Sequence, residues 1–144
     1  MKALIQSLFG DDVEIRKRAA DVARRIVERD ATPLKRYADE LAGLLAEVPL
    51  AESRTRWHLG LVVAQVAHTH EQRMRAARLM KLLMEDESNV ARCSAVEGIG
   101  LLAIKEASLR TIAEEMIERA LWEGTLAMKC RARSAKRQLE KSNI

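Results

Sequence analysis

Aromatic side chains are almost missing from this chain: two Trp, one Tyr and one Phe among 144 residues. A core with so few rings must be filled by Ala, Leu, Val and Ile, which suits helices packed close together. A base-binding pocket would have only Trp57 and Trp122 to stack on. Cysteine is as scarce. Cys93 and Cys130 lie far apart in no paired spacing, which excludes a disulfide framework and points to a reduced, cytoplasmic setting. Two prolines and six glycines leave no room for long linkers or low-complexity segments. No apolar run approaches the ~20 residues of a membrane span, so no membrane is expected. The opening MKALIQSLFGDD turns acidic too early for a secretory signal.

The net charge of +4 hides an asymmetry. Between residues 129 and 141, Lys129, Arg131, Arg133, Lys136, Arg137 and Lys141 face Glu140 alone. That segment carries +5, so the rest of the chain sums to −1. The body is balanced and only the last helix is basic.

What the chain does have is repetition. Arg92, Ala95 and Gly98, inside Asp86–Ile104, have counterparts 38 positions earlier in Arg54, Trp57 and Gly60. A further 38 positions back stand Arg16, Ala19 and Val22. Leu8, Leu45, Leu83 and Leu121 form a second column, and Leu4, Leu41, Leu79 and Ile117 a third. A period of this size means stacked helical hairpins, none able to bury its apolar face without its neighbours. The expected architecture is all-α, about eight helices in four hairpins.

The elements follow from local signals. A first helix over residues 2–9 ends at Gly10, and Asp11 or Asp12 caps a second over 13–29 with the stripe Ile15, Ala19, Val22, Ile26. Thr32-Pro33 predicts a cap and start for a third helix running to Glu47, where Pro49 stops it. A fourth covers 53–67 and a fifth runs to Met84. The sixth is the Asp86–Ile104 stretch, the seventh is capped by Ser108, and Gly124-Thr125 restarts the chain into the last.

Asp12-Val13-Glu14-Ile15-Arg16 with Ala19, and Asp86 through Val90 to Arg92 with Ala95, resemble HEAT-type repeats of the armadillo/HEAT class of α-solenoids. The resemblance covers the whole chain, as one HEAT-like repeat domain over 1–144 with a right-handed α-α superhelix. It implies that Asp12, Arg16, Arg54, Asp86 and Arg92 brace adjacent repeats. It also implies that the second helix of each hairpin lines a concave surface.

Candidate chemistry is thin. His68, His70 and Glu71 lack the spacing of metal ligands, so no metal is expected. Cys93, with His58 one repeat earlier and Glu97 nearby, has no oxyanion turn and reads as an inert thiol. Gly98-Ile99-Gly100 sits inside a helix rather than in a phosphate loop. No catalytic residue and no cofactor is assigned, and the chain is not expected to be an enzyme.

The expected site is the apolar centre of the concave face: Thr55, Leu59, Val62 and Val66 with Cys93, Glu97, Gly100 and Ile104, edged by Lys17, Asp21, Arg24 and Glu28. Such a patch fits a peptide, a helix or a second subunit if it is open, and is ordinary core if the stack curls over it. The alternative is a nucleic-acid contact through Lys129, Arg131, Arg133, Lys136 and Arg137 on the basic helix.

Overall fold

A computed structural model describes residues 1–142 of the chain; residues 143–144, at the end of the expected domain, lie outside the described residues. Among the described residues the chain is all-helical, with nine α-helices and no strand. They are α1 (Lys2–Phe9), α2 (Val13–Arg29), α3 (Thr32–Lys35), α4 (Ala38–Glu47), α5 (Ser53–Val66), α6 (His70–Leu83), α7 (Asn89–Lys105), α8 (Arg110–Glu123) and α9 (Leu126–Lys141).

Capping side chains set the starts of the longer helices. The Asp12 carboxylate accepts from the Glu14 and Ile15 N–H groups at 3.0 and 3.1 Å. Ser88 accepts from Ala91 N–H, Thr125 from Met128 N–H, and Thr69 with Gln72 closes a capping box ahead of α6.

Two expected caps are elsewhere. Thr32 is the first helical residue rather than a cap, and its N–H donates to the Asp30 carboxylate at 3.0 Å. Asp30, two residues earlier, supplies the acceptor that Thr32 was expected to provide. Ser108 lies in a short 3-10 turn and donates to Glu106, so α8 begins at Arg110 without a side-chain cap. The expected third helix is also broken: Tyr37 N–H bonds to the Leu34 carbonyl three residues back, and α3 gives way to α4 at Arg36-Tyr37. That break raises the helix count from the expected eight to nine.

The helices pair along the chain. α1 packs on α2, α4 on α5, α6 on α7 and α8 on α9. The second members of these pairs then pack in series, α2 on α5, α5 on α7 and α7 on α9. One continuous set of buried apolar residues runs from Leu8 to Leu139. Helices α5 and α7 have neighbours on most sides, so apolar residues surround them and no single stripe stands out.

Bonds between hairpins join residues 30–37 apart in sequence. Arg16 Nε pairs with Glu52 at 2.9 Å, and Arg56 Nε with Asp86 at 2.9 Å. The Ser94 hydroxyl donates to the Trp57 carbonyl at 2.7 Å, directly over Gly60, where a Cβ would meet that oxygen. Arg92 donates to the Asp86 and Glu87 carbonyls at 2.7 and 2.9 Å, tying down its own turn.

Arg16 and Asp86 therefore join hairpins as expected, whereas Asp12 and Arg92 serve only their own helix start and turn. Arg54 does neither: it is exposed, and Arg56 fills the buried place. The repeat is uneven. The residues before α2, α5, α7 and α9 are Asp12, Glu52, Ser88 and Thr125, steps of 40, 36 and 37 residues. Counting in uniform steps of 38 places α5 two residues out of phase, which turns its faces by more than half a turn.

Candidate functional site

The phase error decides the fate of the expected concave patch. Leu59, Val62 and Val66 are completely buried at 0% exposure, and Thr55, Cys93 and Gly100 are buried with them. They belong to the seams between successive helices. A Cβ on Gly98 would touch Ala64, and one on Gly100 would lie 3.1 Å from the Ala135 Cβ. Of the eight expected residues, only Glu97 and Ile104 reach solvent. The stripe expected to be buried on α2 holds only in part: Ala19 is buried and Ile26 packs against the core, but Ile15 and Val22 are exposed, and Ala20, Ala23 and Val27 complete the buried face.

The open surface of α5 is carried by Arg54, the half-buried Trp57 and Gln65. It holds two features. Toward its start, the Arg24 guanidinium lies 5.1 Å from the Trp57 ring and donates through Nε to His58 Nδ1 at 2.8 Å. Arg24 is held there from its own helix by Asp21 at 3.0 Å and by Glu28. Accepting at Nδ1 requires a neutral imidazole with its proton on Nε2. Burial pushes the His58 pKa down to about 4, and the neighbouring Asp21 carboxylate only partly offsets this.

A ring that ionises near 6.5 when unfolded and at about 4 when folded takes up its proton on unfolding first as pH falls. This contribution to stability is complete above pH 6.5 and declines toward pH 4, by about 1.4 kcal/mol per pH unit inside that window. Urea unfolding between pH 7 and 5 is expected to show that slope in the wild type, and His58→Gln is expected to flatten it.

The second feature is a groove of about 340 Å³ at the far ends of α2, α5 and α7. Ala64, Leu101 and Ile104 give it apolar surface, and Arg29, Lys35 and Lys105 stand on its rim. These three cations occupy the last turns of α2, α3 and α7, where they answer the negative helix ends. The rim's acid, Asp30, is engaged by the Thr32 N–H. The groove therefore has a positive edge around an aliphatic floor. Its polar resident Gln65 bonds back to the Leu61 carbonyl at 3.1 Å.

The other candidates separate in space. His68 bonds through Nδ1 to the Val66 carbonyl and His70 to Glu106, each at 3.0 Å. The two rings thus serve different partners. Burial raises the Cys93 thiol above its ordinary pKa, which disfavours the thiolate a nucleophile needs.

On the basic helix, Arg131 pairs with Glu97 at 3.8 Å and Lys136 with Glu118 at 3.2 Å. Lys129 is half-buried, and Arg133 and Arg137 stand exposed on the side of α9 away from α7. The five expected nucleic-acid contacts do not form one continuous track, because acids interrupt it. No helix among the described residues is long and apolar enough to cross a membrane.

Of the groove residues, sequence reading placed only Ile104 in its site and missed Leu101, Gln65 and the cations Arg29, Lys35 and Lys105. The displaced phase of α5 hid Gln65, and Leu101 merged with the continuous apolar run of α7. No family model, curated protein or solved structure matches the chain.

Proposed function

We propose that this chain is a HEAT-like α-solenoid that works as a non-enzymatic protein-interaction module. Its groove at the ends of α2, α5 and α7 holds an extended segment with an aliphatic side chain between acidic ones. The series α2, α5, α7 and α9, bonded between hairpins at repeat-length separations, supports the solenoid reading. The single observation behind the site is its chemistry: Leu101 and Ile104 lie open beside Arg29, Lys35 and Lys105, with Asp30 already bonded. Aliphatic contact supplies affinity, and the cationic rim selects against basic sequences.

Selection of end-capped octapeptides from a random library on the immobilised chain tests this. Enriched peptides are expected to carry Leu, Ile or Val flanked by Asp or Glu. Ile104→Ser is expected to weaken them at least tenfold with an unchanged melting temperature, since Ile104 is already at the surface. Lys35→Glu with Lys105→Glu is expected to reverse the charge preference. Enrichment of basic peptides, or indifference to Ile104→Ser, would remove the groove as the site.

A further inference from the structure

The two ends of the stack differ in kind. Counted from the capping positions, the third, tenth and fourteenth residues of each second helix form three columns. They read Ile15, Thr55, Ala91 and Met128; Val22, Val62, Gly98 and Ala135; Ile26, Val66, Leu102 and Leu139.

In α7 and α9 the tenth position meets the preceding second helix, and the neighbouring columns also meet the first helix of their own hairpin. Gly98 lies against Ala64 and Met80, and Ala135 against Gly100. Between them, His58 takes the Arg24 hydrogen bond and Ser94 bonds to the Trp57 carbonyl. All nine residues are buried, Ala135 the most exposed of the non-glycine ones at 8%. On α2 two of the same positions are open, Ile15 at 51% and Val22 at 47% exposure, while Ile26 is half-buried and packs against the core.

The far end is built otherwise. Each second helix covers its successor with its eighth and twelfth residues: Ala20 with Arg24, Gly60 with Ala64, and Val96 with Gly100. On α9 these positions are Arg133 and Arg137, both exposed. Two arginines there set α9 apart from the internal seams, where Arg24 is the one charged residue of these columns. The α2 end has no such substitution. Its stacking face keeps the aliphatic composition of an internal seam, and Arg18 and Arg25 lie along the same side.

We infer that the α2 end is a docking face for an amphipathic helix of another protein. That helix lies along Ile15 and Val22, taking at Val22 the place that α5 has at Gly98 and α7 at Ala135. Continuity with the α5–α7 seam, where Gly60 and Ala64 lie four residues apart, gives the shape of the partner: small side chains at that spacing, so that the backbones approach closely. Charge gives its flank. Arg18 projects beside the stripe, and Arg25 shares Asp21 with Arg24, so acidic residues on the partner are favoured.

A second copy fits poorly. Its α2 end would set two groups of arginines face to face, and its α9 end would bring Arg133 and Arg137 onto the same cations. This face and the groove are separate surfaces, and neither requires the other.

Two end-capped 21-residue helical peptides test the inference. Both carry the same Ala/Leu stripe with Ala at four-residue spacing; one has Glu flanks and the other Lys flanks. The Glu peptide is expected to bind the full chain saturably by fluorescence anisotropy, and the Lys peptide at least tenfold more weakly.

Ile15→Ser with Val22→Ser is expected to weaken the Glu peptide at least tenfold while the melting temperature holds, because both residues start exposed. Arg133→Glu with Arg137→Glu, at the opposite end, is expected to leave it unchanged. The groove variant Ile104→Ser is also expected to bind it normally, which keeps the two surfaces distinguishable.

Absence of saturation by the Glu peptide would overturn the inference. So would equal binding of both peptides, or insensitivity to the Ile15/Val22 pair. Sedimentation showing a dimer that the Ile15/Val22 variant abolishes would overturn the choice of partner in favour of a second copy.

Discussion

Asp86→Ala is expected to lose about 3–5 kcal/mol of unfolding free energy, the usual result of removing one partner from a buried ion pair. Asp86 and Arg56 are both buried, and each ties down backbone as well as the other. Arg56 Nη1 donates to the Val48 carbonyl at 2.9 Å, closing the end of α4, and Asp86 accepts from Ser88 N–H at 2.8 Å, shaping the turn into α7. The pair thus joins α4, α5 and the start of α7. Alanine at Asp86 would leave a guanidinium in the interior with one carboxylate fewer.

Replacing both partners removes that orphaned charge. Arg56→Met with Asp86→Ala is therefore expected to be less damaging than the sum of the single changes. Chemical denaturation of the four proteins of the cycle measures it. A single-variant loss below about 1 kcal/mol would place the pair at the surface.

Leu59→Asp is the second large effect. Leu59 is completely buried, as is Val62 three residues on, and a carboxylate there has no partner. Such a change is expected to cost several kcal/mol, enough to unfold many domains of this size. The same change on the open stripe, Val22→Asp, is expected to stay within about 0.5 kcal/mol of the wild type. Circular dichroism melts of the two variants side by side give the comparison. A Leu59→Asp protein as stable as Val22→Asp would mean that the patch is open after all.

Helix type and most helix limits were legible because they depend on local chemistry. Asp12 caps α2 as expected, α1 and α2 have the expected ends, and Pro49 lies just past α4. What failed was phase. A uniform step of 38 averages over actual steps of 40, 36 and 37, and a helix face turns 100° per residue. Arg54 was consequently given the place of Arg56, and the seam residues Leu59, Val62 and Val66 were given to the concave surface.

On α2, Ile15, Ala19, Val22 and Ile26 have the periodicity of a buried stripe, and on any inner helix of the stack that reading would be right. Periodicity reports that a face is apolar; what covers it depends on neighbours far along the chain. The groove was half legible. Ile104 stood in the expected site, but Leu101, Gln65 and the rim cations come together only through the packing of α2, α5 and α7.

Labelling of single cysteines tests the central claim, that one column of equivalent positions is open at the α2 end and closed along the rest of the stack. In a background with Cys93→Ala and Cys130→Ala, Val22→Cys, Val62→Cys and Ala135→Cys place one thiol at the same position of α2, α5 and α9. The thiol at 22 is expected to react with a maleimide at nearly the rate of unfolded protein. Those at 62 and 135 are expected to react at least 100-fold more slowly, through opening of the fold. Equal rates at 22 and 62 would contradict the stack.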